Sequence, residues 1–496
     1  MNRREFLFAV GGAAASSAGW ALAKFARWGV PAQDSLLVDD LHSKLNLTKV
    51  KAIIHPRSLE DILGVIHGAK RTKDAICIAA SRHAMGGQQF ADGALLIDTR
   101  GMHDIIDLDT ETGLVEVEAG IEWPEFVDGL QKMQLKDSQP WTIPTKQTGA
   151  DRLSLGGAIS ANAHGRTLTR PPFVSNIESL LLVNGNGDPI RCSRTENPDI
   201  FRLAIGGYGL IGVVHSAVIR LERRHKLTRK VEMVHAVDLP AAFKERINDG
   251  YTLGDWQYVT DENSSDCRNW GVFSCYRPVE IDTPIPEGQD TVSDREWDEL
   301  VYLAHTEKSK AFKLYSDFYL KTDGQIYWSD TSQLGAYARD YHVEVDKRMH
   351  AAHPATEMIT EIDVPQDRLV DFLAASAAAL RDVHANDIYG TIRLAAKDSE
   401  TFLPWAKGDF ACVIFNLHVE HTHDGITEAA KAFQKLIDLA IERDGSYYLT
   451  YHRWARKDQV LACYPQFPEF LKRKSAHDPD ERFQSNWYRY YKSMFA

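Results

Sequence analysis

The sequence has no C-x-x-C pair. Its six cysteines, Cys77, Cys192, Cys267, Cys275, Cys412 and Cys463, are scattered, which removes an iron–sulfur ligand set and a thioredoxin-like dithiol and leaves disulfide pairing open. Neither a G-K-[ST] phosphate loop nor an H-E-x-x-H helix occurs, so two common nucleotide and zinc signatures are missing. Positive charge is not in excess: 57 basic side chains against 69 acidic leave −12, which argues against a general polyanion binder, and no nucleic-acid partner is expected. Glycine (33) and proline (19) are too sparse and unperiodic for a collagenous or low-complexity chain. What remains is an ordinary globular composition on 496 residues, long enough for about three domains.

Long hydrophobic runs are also absent. The apolar stretch that follows Asn2-Arg3-Arg4-Glu5-Phe6-Leu7 continues through Val10 only to Ala15, too short for a bilayer core of about 30 Å, so no stable membrane span is expected. Two adjacent arginines, a short apolar run and a small-residue site at Ala21-Leu22-Ala23 match a twin-arginine export signal. An amphipathic N-terminal helix is the alternative. The export reading makes residues 1–30 a signal and linker and places the mature protein in the periplasm or outside the cell. That route carries folded proteins, as a cofactor loaded in the cytoplasm requires.

The first half reads as α+β. Ile53-Ile54-His55-Pro56 closes an apolar segment, and Ser58-Leu59-Glu60-Asp61 reads as a helix start feeding Ile62, Leu63 and Ile66. Ala75–Ala79 and Ala94–Ile97 are short buried-strand candidates, and Val115-Glu116-Val117-Glu118 alternates strictly. Near Glu222 a basic joint, Arg223-Arg224-His225-Lys226, precedes a second region of strands and longer helices. Helices are predicted over Arg295–Lys313, Gln366–Val383 and Thr427–Ile441, and a buried strand over Phe410–Phe415. This second region reads as a sheet covered by helices.

Three glycine segments punctuate the first half. Gly207-Tyr208-Gly209-Leu210-Ile211-Gly212 is a literal G-x-G-x-x-G, but Pro198–Ile205 before it reads as helix and Val213–Ile219 after it as strand. A dinucleotide fingerprint needs strand then helix, so the match is rejected. Ala80-Ser81-Arg82-His83-Ala84-Met85-Gly86-Gly87-Gln88-Gln89 lies between two strands, where small residues let backbone amides converge on an anion; a surface turn with an incidental histidine is the alternative. Gly156-Gly157-Ala158-Ile159-Ser160-Ala161-Asn162-Ala163-His164-Gly165 allows a flat ring to lie against the backbone, with Ser160 and Asn162 at a heterocycle's edge.

Taken in order, the Arg82-His83 loop, Leu95–Asp98, Val117-Glu118-Ala119-Gly120, Gly156–Ile159 with Ala163-His164-Gly165, and Gly206–Gly212 resemble the FAD-binding half of the vanillyl-alcohol-oxidase, or p-cresol-methylhydroxylase (PCMH)-type, flavoprotein superfamily. Arg82-His83 is most similar to its alditol-oxidase and sugar-lactone-oxidase branch. The resemblance implies a two-subdomain FAD-binding domain over 40–225, a substrate cap of antiparallel sheet covered by helices over 226–460, and a C-terminal segment, 461–496, returning to the FAD domain. Tyr327-Trp328-Ser329-Asp330 with Tyr341-His342 looks like the cap, and His477-Asp478-Pro479 through Phe483-Gln484-Ser485 like the return. It further implies FAD held by Ala80, Ser81, Arg82, His83, Ala84, Met85, Gln88, Thr148, Gly149, Ser154, Gly157, Ser160, Ala163, His164 and Val214, with His83 bonded covalently to the flavin. No cysteine lies between Cys77 and Cys192, so the likeness does not extend to a second flavin bond.

The chemistry so implied is hydride transfer from a CH–OH group of a polyol, sugar or lactone to flavin N5. A base and a cation near the flavin are required, and Arg393, Tyr451 and His452 are the candidates. Arg393 resembles the substrate-site arginine of alditol oxidase; Thr450 stands where that branch has a lysine, which leaves the base open. Cytokinin dehydrogenases have an aspartate where this chain has Gly149, which disfavours amine oxidation. Ala163, where a glycine is the alternative, leans toward a dehydrogenase; the acceptor is oxygen or a periplasmic carrier. No metal is expected. Two rivals stand beside this reading: a non-catalytic flavin-binding protein, and a metal-dependent hydrolase using His418, His421 and His423, of which His421 and His423 would share a strand face.

Overall fold

The computed structural model describes residues 36–335 and 340–496; the twin-arginine segment lies outside them. Three parallel strands, β1 (Ala52–Ile54), β2 (Ile76–Ala79) and β3 (Leu95–Asp98), form the first sheet in the order β1-β3-β2. Helix α1 (Leu59–Thr72) makes the crossover from β1 to β2. It starts where extended Ser58 accepts the Asp61 amide and stops at left-handed Lys73. Ile62, Ile66 and Ala69 follow helical spacing and are buried against Ile76, Ile97, Val183 and Val213. The last two residues belong to a second sheet, so this helix joins the two subdomains.

That second sheet is antiparallel, built from β4 (Ile105–Asp109), β5 (Leu114–Glu118), β6 (Ile177–Val183), β7 (Pro189–Ser193) and β8 (Val213–Arg220) in the order β7-β6-β8-β5-β4. Helices α2 (Trp123–Met133), α3 (Leu155–Ala161) and α4 (Pro198–Ala204) bury Trp123, Phe126, Leu130, Ile159 and Phe201 in its core. The G-x-G-x-x-G segment sits between α4 and β8, with Gly206, Tyr208 and Gly209 at positive φ. Helix precedes the glycines and strand follows.

The cap is one eight-stranded antiparallel sheet. Its strands are β9 (Lys226–His235), β10 (Leu253–Tyr258), β11 (Trp270–Val279), β12 (Ile326–Trp328), β13 (Ala355–Pro365), β14 (Asp387–Ala395), β15 (Phe410–Glu420) and β16 (Ser446–Tyr447). Their order is β12-β9-β11-β10-β14-β15-β13-β16. Helices α5 (Leu239–Asn248), α9 (Leu369–Asp382) and α10 (His423–Ile441) cover one face, packing Leu369, Phe372, Phe433 and Leu436 against Ile362, Ile392, Val413 and Phe415. Helices α6 (Asp294–Thr306), α7 (Lys308–Lys321) and α8 (Tyr341–Met349) lie over part of the other face, where Tyr315 packs on Val231 and Val272.

The α+β fold with an antiparallel cap agrees with the sequence reading, with two local corrections. The single helix expected over Arg295–Lys313 breaks at Glu307, whose φ and ψ are not helical, into α6 and α7. Helix α10 begins at His423, ahead of the expected Thr427, because the Thr422 hydroxyl accepts the Gly425 amide and caps it there. Beyond the cap, α11 (Lys457–Cys463), α12 (Phe467–His477) and α13 (Asn486–Phe495) return the chain to the first sheet. The Ile76 amide donates to the Arg482 carbonyl at 2.6 Å, and the Gln484 amide to the Ile76 carbonyl at 2.8 Å. All six cysteines are free and buried. No helix among the described residues is long and apolar enough to cross a membrane.

Candidate active site

The loop after β2 is held from both sides. Its Met85 carbonyl accepts from Asn46 Nδ2 at 2.6 Å, and Gln88 Nε2 donates to the Leu449 and Thr450 carbonyls at 3.0 and 2.9 Å. Gln89 reaches back to the Ala84 carbonyl, and Ser81 Oγ donates to Glu122. Gly87 sits at φ +79, where a residue with a side chain is strained, and a Cβ there would fall 2.8 Å from the Arg453 guanidinium, which would have to move. Arg82 also has positive φ and turns its guanidinium toward Asp98, 3.6 Å away, with Nε buried and unpaired. His83 Nδ1 lies 2.7 Å from His42 Nε2, and His83 Nε2 lies 2.9 Å from the Arg152 carbonyl. Burial lowers the His42 pKa to about 4, so that ring is neutral at pH 7.

The Arg152 contact brings the second glycine segment to the first. Lys146 is buried and its ammonium bonds the Gln147 and Ala150 carbonyls and Asp151, bracing the bend that carries Thr148 and Gly149. Gly149 is at φ +94 with open space around its missing side chain, and Thr148 Oγ1 is buried without a partner. Ser154 caps α3 by accepting the Gly157 amide. Gly165 packs so closely on the Lys146 carbonyl that a Cβ would stand 2.4 Å from it. Ser160 is half-buried, and its carbonyl accepts from the Tyr208 amide. The expectation for Asn162 is corrected: its side chain is buried between Asp398 and the Val174 amide, which takes it away from any heterocycle's edge. Val214 is half-buried in β8 opposite Leu182, and Ala163 is buried with its carbonyl accepting the Phe173 amide.

His164, the next residue, reaches the cap. Its Nε2 is 2.7 Å from Glu361 Oε1, in ion-pair range though off the line of a good hydrogen bond. Glu361 lies on β13, where Glu357, Ile359, Glu361 and Asp363 share one face by the period-two alternation of a strand. The ladder lines up partners from neighbouring strands. Glu361 is level with Ile414 and Thr391, and Asp363 with Cys412 and Arg393. Gln257 adds to the first row from β10. Asp363 oxygens, Thr391 Oγ1, Arg393 Nε, Gln257 Oε1 and His164 Nδ1 are all buried without a good hydrogen bond, an unusual concentration for a folded interior. Burial, and secondarily the Glu361 charge, pushes the Asp363 carboxyl well above the usual carboxylate range. Tyr451 Oη donates to Glu361 Oε2 at 3.3 Å, and Tyr448 Oη to the Ala161 carbonyl at 2.7 Å.

Arg393 and Tyr451 therefore join this group, and His452 does not. His452 lies on the helix-covered side, 3.1 Å from Thr360 Oγ1 and stacked on Phe433 at 4.4 Å. Burial alone drops its pKa to about 3, which suits a packed neutral ring. The three-histidine metal cluster is corrected as well: β15 ends at Glu420, His421 bonds Thr356, and His423 opens α10. His42, Lys146, Glu361 and Asp363 were missed from the sequence. The signal for the last two was present in Thr360-Glu361-Ile362-Asp363-Val364, acids alternating with apolar residues inside a strand pattern.

A family model described as an FAD binding domain matches residues 50–193. The chain is 29% identical over 206 residues to L-galactono-1,4-lactone dehydrogenase 2, mitochondrial, of Oryza sativa subsp. japonica, covering 40% of this chain and 33% of that protein. It is 29% identical over 201 residues to cytokinin dehydrogenase 2 of Arabidopsis thaliana, covering 39% and 38%. An uncharacterized oxidoreductase of the fasciation locus of Rhodococcoides fascians is 27% identical over 189 residues, covering 38% and 41%. The chain thus spans about a third to two fifths of the length of the curated relatives it matches.

Proposed function

Starting from an FAD-binding domain over residues 50–193 within a PCMH-type fold, we propose that the protein is an FAD-dependent oxidoreductase that oxidises a CH–OH group of a polyol, sugar or lactone. The residues present fit the cofactor: Thr148 Oγ1 and Arg82 Nε are buried and unpaired, and His83 meets the Arg152 carbonyl of the bend that leads into the Gly156–Gly165 segment. When bound, FAD supplies a two-electron acceptor for a substrate hydride. His83 is the residue that would carry the covalent link.

The observation that carries the reading is Glu361, a fully buried carboxylate held by His164 and Tyr451 beside a row of unpaired polar atoms. Glu361 accepts the proton of the reacting hydroxyl. His164 steadies the carboxylate at one oxygen and Tyr451 at the other. Arg393 supplies the cation that balances negative charge in the pocket. Asp363, held neutral by burial, donates a hydrogen bond to a second hydroxyl of the substrate, and Thr391 and Gln257 serve further ones. Unpaired buried donors and acceptors in two ladder rows suit a ligand with several hydroxyls, because each hydroxyl both donates and accepts. Similarity to a protein named as a lactone dehydrogenase supports the same substrate class.

Ala163, buried beside His164, supports a dehydrogenase passing electrons to a periplasmic carrier in preference to oxygen. The Arg3-Arg4 pattern supports twin-arginine export, which fractionation of a lysine-for-arginine variant tests. The main test is anaerobic: the purified protein is yellow and bleaches with one or more of a panel of polyols, sugars and lactones. Acid-precipitated protein keeps its flavin fluorescence, and His83→Ala loses it. A colourless protein, or one that bleaches with amines alone, would falsify the assignment.

A further inference from the structure

At the far end of the same strand, about 13 Å from Glu361 by strand rise, a second buried group has no role in the reaction above. Glu357 Oε1 receives two imidazole nitrogens: His305 Nε2 from α6 at 2.8 Å and His418 Nδ1 from β15 at 3.2 Å. The three ligand atoms all lie within 4.8 Å of one another. The other carboxylate oxygen accepts from Tyr341 Oη of α8, which fixes the plane of the group.

The second nitrogen of His305, Nδ1, lies 2.8 Å from the Val301 carbonyl one turn back in α6. A carbonyl only accepts, so Nδ1 carries a hydrogen and the neutral ring presents a bare lone pair at Nε2. That lone pair faces a carboxylate oxygen, an arrangement that repels unless a proton or a metal cation sits between them. The same carbonyl-to-imidazole-to-metal chain is the outer support that holds metal-binding histidines in place.

We infer that His305 Nε2, Glu357 and His418 Nδ1 form a binding site for one divalent transition-metal ion of the zinc class, distinct from the flavin pocket. Two neutral imidazoles and a carboxylate are a recognised donor set for Zn2+, with a fourth position left for water. Ligands about 2 Å from a common tetrahedral centre stand about 3.3 Å apart; the His418 separation of 3.2 Å meets this, and the His305 separation of 2.8 Å opens by about half an ångström to admit the ion. His418 also borders a surface cavity of about 560 Å3 that takes in His353 and Glu420. The ligands come from α6, β13 and β15 and their support from α8, so the ion pins the helices lying over the substrate face of the cap to its sheet. Its contribution is structural, because none of these residues touches the Glu361 group.

The test uses the full-length, flavin-loaded protein, stripped with a chelator and titrated with Zn2+ by calorimetry and elemental analysis. One equivalent binds and raises the melting temperature. His305→Gln and His418→Gln weaken Zn2+ binding by about 100-fold or more, with flavin content and turnover unchanged. Co2+ as a second probe gives visible ligand-field bands of a nitrogen and oxygen site in the wild type, a readout that stands even if a variant fails to fold. Absence of stoichiometric Zn2+ binding by the wild type, or undiminished binding by both variants, overturns the proposal. A thiolate-to-cobalt charge-transfer band does so too, since it puts the ion on Cys412 with His164 and Glu361.

Discussion

Thr360 and Glu361 are adjacent in sequence and face opposite sides of the cap sheet, where they meet opposite conditions. On the helix side, Thr360 shares a hydrogen bond with His452, which is stacked on Phe433 amid Ile362, Val364 and Phe415. On the flavin-domain side, Glu361 and Asp363 lie among Arg393, Thr391 and Gln257 with many polar atoms unpaired. Both faces are buried. The difference teaches that burial alone does not mark a site; a concentration of buried polar atoms without partners is the stronger sign, since each such atom costs about 1–3 kcal/mol that a ligand or water recovers.

The sharpest break of that comparison is Glu361→Gln, which keeps shape and removes the proton acceptor. The flavin reduction rate should fall by about 100- to 10,000-fold with the protein still yellow, whereas Thr360→Val on the other face leaves the rate near wild type. Stopped-flow bleaching without oxygen reads both; equal effects would erase the distinction between the faces.

Phe433→Ala should do the reverse, costing about 3–5 kcal/mol of stability while the reduction rate per folded molecule stays close to wild type. Denaturant unfolding measures the first quantity and active-flavin titration the second.

A smaller effect follows from the neutral histidines. His452 and His42 have folded-state pKa values lowered to about 3 and about 4, so each contributes stability that is present above the unfolded value near 6.5 and is lost as pH falls toward the folded value. Stability should decline between pH 6.5 and 4 with a slope approaching about 1.4 kcal/mol per pH unit for each ring. His452→Gln should flatten that slope in melting curves taken across the range; an unchanged slope would mean that the buried ring is not what acid attacks.

The mildest change is Asp363→Asn. Burial and the Glu361 charge push the Asp363 pKa up, toward the protonated acid; if the acid is neutral in the fold, the amide replaces it closely and stability should shift by less than about 1 kcal/mol. A large loss of folding at neutral pH, seen in thermal melts, would show that Asp363 is ionised and that the two carboxylates do not share the pocket in the way described.

Much of the flavin half was legible in the chain. Ser58 announced α1, the Val115–Glu118 alternation announced β5, and the order of helix and strand around Gly207–Gly212 excluded a dinucleotide fold. These are local signals, carried by spacing and capping within a few residues. The cap site was half legible. Arg393 and Tyr451 were singled out and lie with the buried acids, but His452 was grouped with them because it follows Tyr451 in sequence, and the stack on Phe433 that removes it depends on a helix elsewhere. Glu361 was overlooked because a period-two acid pattern reads as a solvent-facing strand until the strand proves to lie under another domain.

The residues by themselves determined which stretches are strands, helices and glycine bends, because φ and ψ preferences and side-chain periods act over short range. They also determined that His83 and His164 lie in bends that tolerate close backbone approach. Only the tertiary structure decided that His164 meets Glu361, that His42 meets His83, and which face of β13 turns its acids toward the flavin domain. Those contacts join segments far apart in the chain, and their choice is made by how the cap sheet packs on the flavin domain, a property of the whole core that no short window of sequence contains.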